Sequence, residues 1–468
     1  MSQNTTQNTN FRPLSLIVGG AYFMEQLDST IIAPAIPEIA AALQVEPLSL
    51  NLTMTLYLLC CVVFIPISGY LAGRYGTRTV FKAAVALFVG SSALCGLADN
   101  LATLVLARAL QGMSAALMVP VGRTAIVHAT KRSELVLALA WMITPAMLGP
   151  LLGPLLGGAI ATLWSWHWIF FINLPIGLVG YLAATRYVPQ IKDEERAPFD
   201  LRQWLLLALM LGGLAAVLEL ARHPALPLGF YLLPLALAAL AGWGYRRHMR
   251  GSRVRLLEFS LLRVETFHTS FWAGALVRVG YGALPFLLPL MLQIGLGFSA
   301  IQSGLVLLAS GAVAFLTKTR TAAILARYGF RRVLTWNGAL CALGLALCAV
   351  FRAEWGLVAL AVLASLGGLV RSVQLNALAA IAYAELPSSR IAAATTLNTA
   401  FQQLAIMFGI SLSVGLVDLS ARLGERLQPA AADFAVAFFV LAAVVAAAVP
   451  YCWKLDPQAG RELSGHAG

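Results

Sequence analysis

Charge is scarce in this chain: Asp, Glu, Lys and Arg make up only 11% of its 468 residues. A soluble domain carries about 25%, so a water-facing surface cannot be built from this composition. Cysteine is limited to six residues with no CxxC or Cys/His spacing, which argues against a thiolate metal site or a redox motif. Cys60, Cys61, Cys95, Cys341 and Cys348 fall in apolar runs and Cys452 near the end of the last one, where small core residues are expected. Nothing matches the phosphate-binding pattern GxxxxGK[ST], so ATP is not expected to drive the chain directly. The six histidines are scattered, without HExxH, GxSxG or a paired cluster, so neither an enzyme nor a metal or cofactor site is expected.

What remains is apolar. Hydrophobic residues make up 60% of the chain and mean hydropathy is +0.81. Runs near the spanning length of ~20 residues recur from end to end. A β-barrel would show short alternating segments instead. The expectation is an all-α polytopic protein whose constant partner is the lipid bilayer. Fourteen spans are predicted near 13–37, 49–72, 79–98, 101–125, 135–161, 166–188 and 203–221, then 227–245, 266–292, 301–317, 333–351, 356–382, 391–419 and 432–453. The first stretch is too long, and too interrupted by Glu25 and Asp28, for a cleaved signal peptide.

The net charge of +12 could suggest nucleic acid, but its placement argues against such a partner. With both termini inside, only Arg222, Arg352, Arg422 and Arg426 fall outside, and Arg108, Arg278 and Arg371 fall within spans. Every other Lys and Arg is on the inner side, which is the positive-inside bias. Two charged stretches, Lys192–Arg196 and Arg246–Arg263, read as solvated inner linkers.

An internal repeat is visible. Arg74-Tyr75-Gly76-Thr77-Arg78-Thr79-Val80 follows the second span and Arg327-Tyr328-Gly329-Phe330-Arg331-Arg332-Val333 follows the tenth, 253 residues later. Each lies after the second helix of a six-helix block, as in carriers whose solute site sits between two halves at mid-membrane. The predicted organisation is an N-terminal six-helix bundle over 1–190, a linker region over 191–262 holding two additional helices, and a C-terminal bundle and tail over 263–468.

Ionisable residues inside spans are the candidate site. A charge at bilayer depth costs roughly 2.5–3.5 kcal/mol on insertion scales, so such residues face partners or a hydrated cavity. Glu25 and Asp28 lie at i and i+3 on one helix face, where close carboxylates raise each other's proton affinity. Arg108 can hold one of them ionised, or can bond backbone carbonyls between helices. Arg278 and Arg371 lie in the C-terminal half. Asn398 and Gln403 are polar positions of the thirteenth span, as cavity residues or as interhelical hydrogen-bonders.

Several motifs, in order and over nearly the whole chain, resemble the major facilitator superfamily. Within it they resemble the fourteen-span drug:proton antiporters of EmrB/QacA type, including MdtD-like exporters. The first runs Gly69-Tyr70-Leu71-Ala72-Gly73-Arg74-Tyr75-Gly76-Thr77-Arg78, with glycine for a tight turn and arginines as inner anchors. The family usually has Asp where Gly73 stands, and the repeat has Ala326 there. The resemblance therefore implies a weaker inner latch and a larger inward-open population. Arg108-Ala109-Leu110-Gln111-Gly112 is similar to the family's buried-arginine motif, associated with proton transfer.

Gly149-Pro150-Leu151-Leu152-Gly153-Pro154-Leu155-Leu156-Gly157-Gly158 is similar to the motif that marks antiporters. Glycines at i, i+4 and i+8 allow a close helix approach, and each proline deletes a donor and permits bending. The segments Trp166–Gly177 and Leu288–Ser299 resemble further subfamily junctions. The family implies a proton-coupled exporter of small organic solutes in the bacterial inner membrane, working by alternating access. Its partners would be the solute and protons, and the sequence names no accessory efflux partner. Three embedded arginines against two carboxylates favour an anionic or neutral solute, such as a citrate-type metabolite or its iron chelate, as the alternative to a multidrug pump.

Overall fold

The structure, a computed structural model, describes residues 11–131, 134–192, 199–220, 227–252, 256–387 and 390–464. Residues 193–196 of the first charged stretch, 253–255 of the second, and Arg222 and His223 lie outside the described residues. Among the described residues every regular element is helical. The first long helices are α1 (Phe11–Ile31), α2 (Asn51–Tyr75), α3 (Thr77–Gly96) and α4 (Leu101–Ala129). There follow α5 (Leu135–Ala146), α6 (Leu148–Leu163), α7 (Asn173–Tyr187), α8 (Leu201–Leu220) and α9 (Gly229–Gly251). The remainder is α10 (Glu265–Leu290), α11 (Ala300–Lys318), α12 (Phe330–Ala349), α13 (Gly356–Ile381), α14 (Ile391–Leu423) and α15 (Ala431–Ala446).

Twelve helical stretches among the described residues are long and apolar enough to cross a membrane, against the fourteen expected. The two long helices outside that set are α1, which carries Glu25 and Asp28, and α9, which ends in Arg246, Arg247, His248 and Arg250. The expected first span is also not one helix. It stops at Ile31, turns through Ala33–Ala35, and resumes as a short helix Ile36–Leu43. Pro34 and Pro37 lack the N–H groups that would continue the ladder. In the fifth span the chain breaks at Met147, before the Gly-Pro motif rather than within it. Pro150 cannot donate to the carbonyl of Ala146, which is the last residue of α5, whereas Pro154 is carried inside α6 without a break.

The sequence repeat is also a repeat of backbone shape. Gly76 (φ 92°, ψ 145°) joins α2 to α3, and Gly329 (φ 74°, ψ 162°) leads into α12. A side chain would be strained at that positive φ. Each glycine N–H closes the preceding helix, on Ala72 at 2.8 Å and on Leu325 at 2.9 Å. Two residues later an arginine repeats the same long-range bond: Arg78 Nε donates to Val188 O at 2.6 Å, and Arg331 Nε to Trp453 O at 2.9 Å. Each ties the start of a block's third helix to the end of its sixth. Gly69, by contrast, is an exposed helical residue with no turn to make, and Arg74 bonds Tyr70 OH at 2.6 Å on the surface. The end carrying Gly76 and Gly329 is the basic end of the molecule, with Arg74, Arg78, Arg327 and Arg331 beside the two glycines.

Helices in lipid associate through close packing rather than through expulsion of water, so small residues set where they meet. The face Gly149, Gly153, Gly157 of α6 receives α1: added Cβ atoms would strike Leu27 N, the Thr30 side chain and Ile31 O. Gly158 faces elsewhere, against Ala300 O of α11, and Gly304 of α11 faces Pro154 O. These two contacts join opposite blocks near the end remote from the basic one. Gln293 adds a bridge there, its Nε2 donating to Pro34 O and Ser303 Oγ, both at 3.0 Å.

The hairpin α8–α9 is peripheral. The buried residues of α8 are Gln203, Leu207, Leu211 and Ala215, one stripe at helical spacing, and its other faces expose leucines. That stripe packs over Val62 and Val63 of α2 and Leu397 and Ala400 of α14, and Trp204 Nε1 donates to Val63 O at 2.7 Å. At the basic end Asp200 Oδ2 accepts from Ser252 Oγ at 3.1 Å and lies 2.6 Å from His248 Nε2. Burial would raise this carboxyl, but the backbone N–H of Gln203, the His248 ring and the Ser252 hydroxyl outweigh it and hold its pKa below the usual range.

Gly158→Val should force α6 and α11 apart, because the new side chain has no space against Ala300 O. In a chain freed of native cysteines, a cysteine at position 293 is expected to react faster with a membrane-impermeant maleimide when Gly158→Val is present. Unchanged labelling would show that the glycine contact does not seal that end.

Candidate functional site

Arg108 and Gln111 sit one turn apart on α4 and both reach Asp28 of α1. Arg108 Nη1 donates to Asp28 Oδ2 at 2.5 Å and to Gln111 Oε1 at 2.8 Å, and Gln111 Nε2 donates to Asp28 Oδ1 at 3.1 Å. Asn173, the first residue of α7, donates to Asp28 Oδ1 and to Ser92 Oγ, both at 3.0 Å. Ser92 passes the chain on to Phe170 O at 2.9 Å. The guanidinium also lies over the Tyr57 ring, 4.5 Å from its centroid. Gly112 makes this stacking possible, since any Cβ there would strike Tyr57 O. Asp28 is 0% exposed and Arg108 1%. Three donors, one of them a cation, therefore satisfy a fully buried carboxylate.

Beside this cluster, between the two blocks, is a cavity of about 580 Å³. Its lining runs from Thr30, Pro154 and Leu307 to Lys318, an exposed residue at the basic end of α11. Glu25, Arg108, Arg278, Arg371 and Gln403 all line it. Asp28 does not; it lies behind Arg108, sealed from the space. Asn398 is buried but does not line the cavity either. It stands five residues before Gln403 on α14, about 140° around the helix, which turns it into the packing. His167 stays at a helix end, 2.7 Å from Ser165 Oγ and stacked on Trp166.

The charges on the lining are poorly matched. Glu25 Oε2 is buried without a hydrogen-bond partner. Among the described residues Arg278 bonds only a carbonyl of its own helix, Gly274 O at 3.1 Å. Arg371 lies 5.8 Å from the centroid of the Tyr281 ring. Among the described residues neither arginine has a carboxylate within ion-pair distance. The repeat offset of 253 residues relates Glu25 to Arg278 and Asp28 to Tyr281. Equivalent positions of the two blocks thus carry opposite charges on one cavity.

Gln111, Asn173, Tyr57 and Tyr281 were not among the expected site residues. Gln111 and Asn173 lie inside quoted motifs, so a signal for them was present. Tyr57 and Tyr281 have none in the sequence beyond an aromatic ring in an apolar run.

Removing one member of a buried ion pair strands the other, at a cost of about 3–5 kcal/mol. Asp28→Ala and Arg108→Ala should each lower the thermal unfolding midpoint of the purified protein in detergent. The double variant should lose clearly less than the sum of the two. Additive losses would mean that the pair does not hold α1 to α4.

The sequence profile of the Major Facilitator Superfamily matches residues 18–318 and 270–467. The putative multidrug resistance protein MdtD of Salmonella paratyphi A (strain ATCC 9150 / SARB42) is 35% identical over 407 residues, covering 85% of this chain and 84% of that protein. MdtD of Escherichia fergusonii is 34% identical over 413 residues, with 86% and 85% covered. Among solved structures, the D-xylose-proton symporter superposes with a TM-score of 0.66 at 15% identity, covering 96% of this chain and 98% of that one. The human organic anion transporter MFSD10 (TETRAN) gives 0.59 at 16% identity, covering 95% and 100%. Those two show the fold alone. With the two-block repeat, the shared cavity, the profile match and the MdtD relatives together, the chain belongs to the Major Facilitator Superfamily, whose members are multi-pass membrane transporters.

Proposed function

We propose that the chain is a proton-coupled exporter of small organic solutes, with Glu25 as the group that exchanges a proton for cargo. The observation that carries this reading is the unpartnered Glu25 carboxylate on the cavity lining, one turn from an Asp28 already committed to Arg108. A carboxylate without a partner in a low-dielectric space gains from binding either a proton or a cationic group, and not both at once. Competition between the two is the minimum device for antiport. Arg108, held by Asp28, keeps its guanidinium fixed on the same lining as Glu25. Asp28 is then a positioning residue.

The direction of transport rests on likeness: the MdtD relatives carry the name of multidrug resistance proteins. We assign the drug:proton antiporter subfamily of EmrB/QacA type on the same ground. In this reading α1 and α9 cross the membrane along with the twelve apolar stretches, giving fourteen. The chain divides into bundles over 1–190 and 263–468 around the α8–α9 region. The basic end faces the cytoplasm of a bacterial cell, and the membrane is the inner one. Alternating access would open the seam at Gly158 and Gly304 while the basic end closes. Gly73 and Ala326 supply no carboxylate to latch that basic end, which favours the inward-facing form.

Purified protein in liposomes provides the test, with ethidium as cargo and an imposed pH gradient. The wild type should move ethidium against protons. Glu25→Gln should abolish gradient-driven movement while the protein still folds and reconstitutes at wild-type abundance. Coupled movement that persists in Glu25→Gln would end the assignment of Glu25.

A further inference from the structure

We propose that the cavity is built for a zwitterionic amphiphile, its ammonium at Glu25 and its carboxylate between Arg278 and Arg371; this deepens the exporter reading and rests on it. With Asp28 spent on Arg108, the inner part of the lining keeps one free carboxylate and two guanidiniums that have no acidic partner among the described residues, while the Lys318 ammonium stands at the exposed basic end of the cavity. Buried charges need a counter-charge or a strong hydrogen-bond partner. A simple cation answers Glu25 and leaves both guanidiniums bare. A simple anion answers the guanidiniums and leaves Glu25 bare. A solute with both charges answers both poles at once.

The placement of the poles follows from the repeat. Glu25 and Arg278 occupy equivalent positions of two related blocks, so they approach the cavity from opposite sides, α1 on one and α10 on the other. Arg371 comes from α13, in the same block as Arg278. Both guanidiniums therefore belong to the block across the cavity from Glu25. Between the poles the lining is largely apolar and aromatic, with Tyr22, Met54, Tyr57, Leu307 and Ile406. A cavity of about 580 Å³ falls in the range that takes a drug-sized molecule. The cargo is thus a body of aromatic or aliphatic character with an amine at one end and a carboxylate at the other. Protonation of Glu25 loosens the amine end alone, so the carboxylate end keeps the solute oriented while the proton exchanges.

Binding to the purified full-length protein in detergent, without any gradient, tests this directly. The probes are a fluorescent quinolone bearing a piperazine amine and a ring carboxylate, its methyl ester, and its N-acetyl derivative. The wild type should bind the parent about tenfold or more tightly than either derivative, the loss expected for one charge-assisted hydrogen bond. Glu25→Gln should erase the penalty of N-acetylation and keep that of the ester. Arg278→Gln combined with Arg371→Gln should do the converse. Equal binding of all three probes by the wild type, binding of none, or penalties unmoved by the matching variants would overturn the proposal. Should a variant fail to fold, the wild-type ranking decides alone. The predicted pattern without any proton-driven flux would sink the exporter reading and leave the site standing, whereas driven flux of the ester alone would do the reverse.

Discussion

The contact between Asp28 and Arg108 is the constraint around which the N-terminal block is arranged. Two charges at bilayer depth are tolerable when paired and hydrogen-bonded, and α1, α4 and α7 bring four polar side chains to one point, with Arg108 Nε left without a partner. That requirement explains why Gly112 stands where it does. A larger residue would push Tyr57 and the whole of α2 away from the guanidinium. It also explains why Asp28 and Glu25, three residues apart on one helix, differ in chemistry. One has three donors and no access to the cavity, and the other has access and no partner for one of its oxygens.

The seam between blocks follows a different rule. There the contacts are backbone to backbone, Gly158 on Ala300 O and Gly304 on Pro154 O, with Gln293 bridging to Pro34 O. No ion pair among the described residues crosses at that end; close packing and the neutral Gln293 bridge keep it shut. A seam held this way can open without first stranding a buried charge. The charged cluster inside the N-terminal block can stay intact while one block moves against the other. Rigid blocks and a separable seam are what a rocking carrier needs.

The repeat ties these two features together. It places the turn glycines and the arginine bonds to Val188 O and Trp453 O at matching points of both blocks. At the cavity the same symmetry is broken in charge, Glu25 against Arg278 and Asp28 against Tyr281. The scaffold therefore repeats while the chemistry diverges. Divergence is cheapest on the lining, where a side chain meets solute or water rather than a packed neighbour.

Much of this was legible in the order of residues alone. Hydropathy located the helices, and a seven-residue echo at an offset of 253 marked the two turns whose backbone shape repeats. These are local properties, because each helix in lipid must satisfy its own backbone and each turn its own φ. Embedded charge likewise marked Glu25, Asp28, Arg108, Arg278 and Arg371 as the residues to watch. The sequence could not say which of them share a space, because side chains three or eighty residues apart are sorted by helix rotation and by the partner each helix meets. Asp28 turned inward to Arg108, Asn398 turned into the packing, and the bend near Pro150 came at Met147. Count and type of charge belong to the chain; pairing and access are decided by tertiary packing, since a buried charge takes whichever partner the neighbouring helices bring within reach.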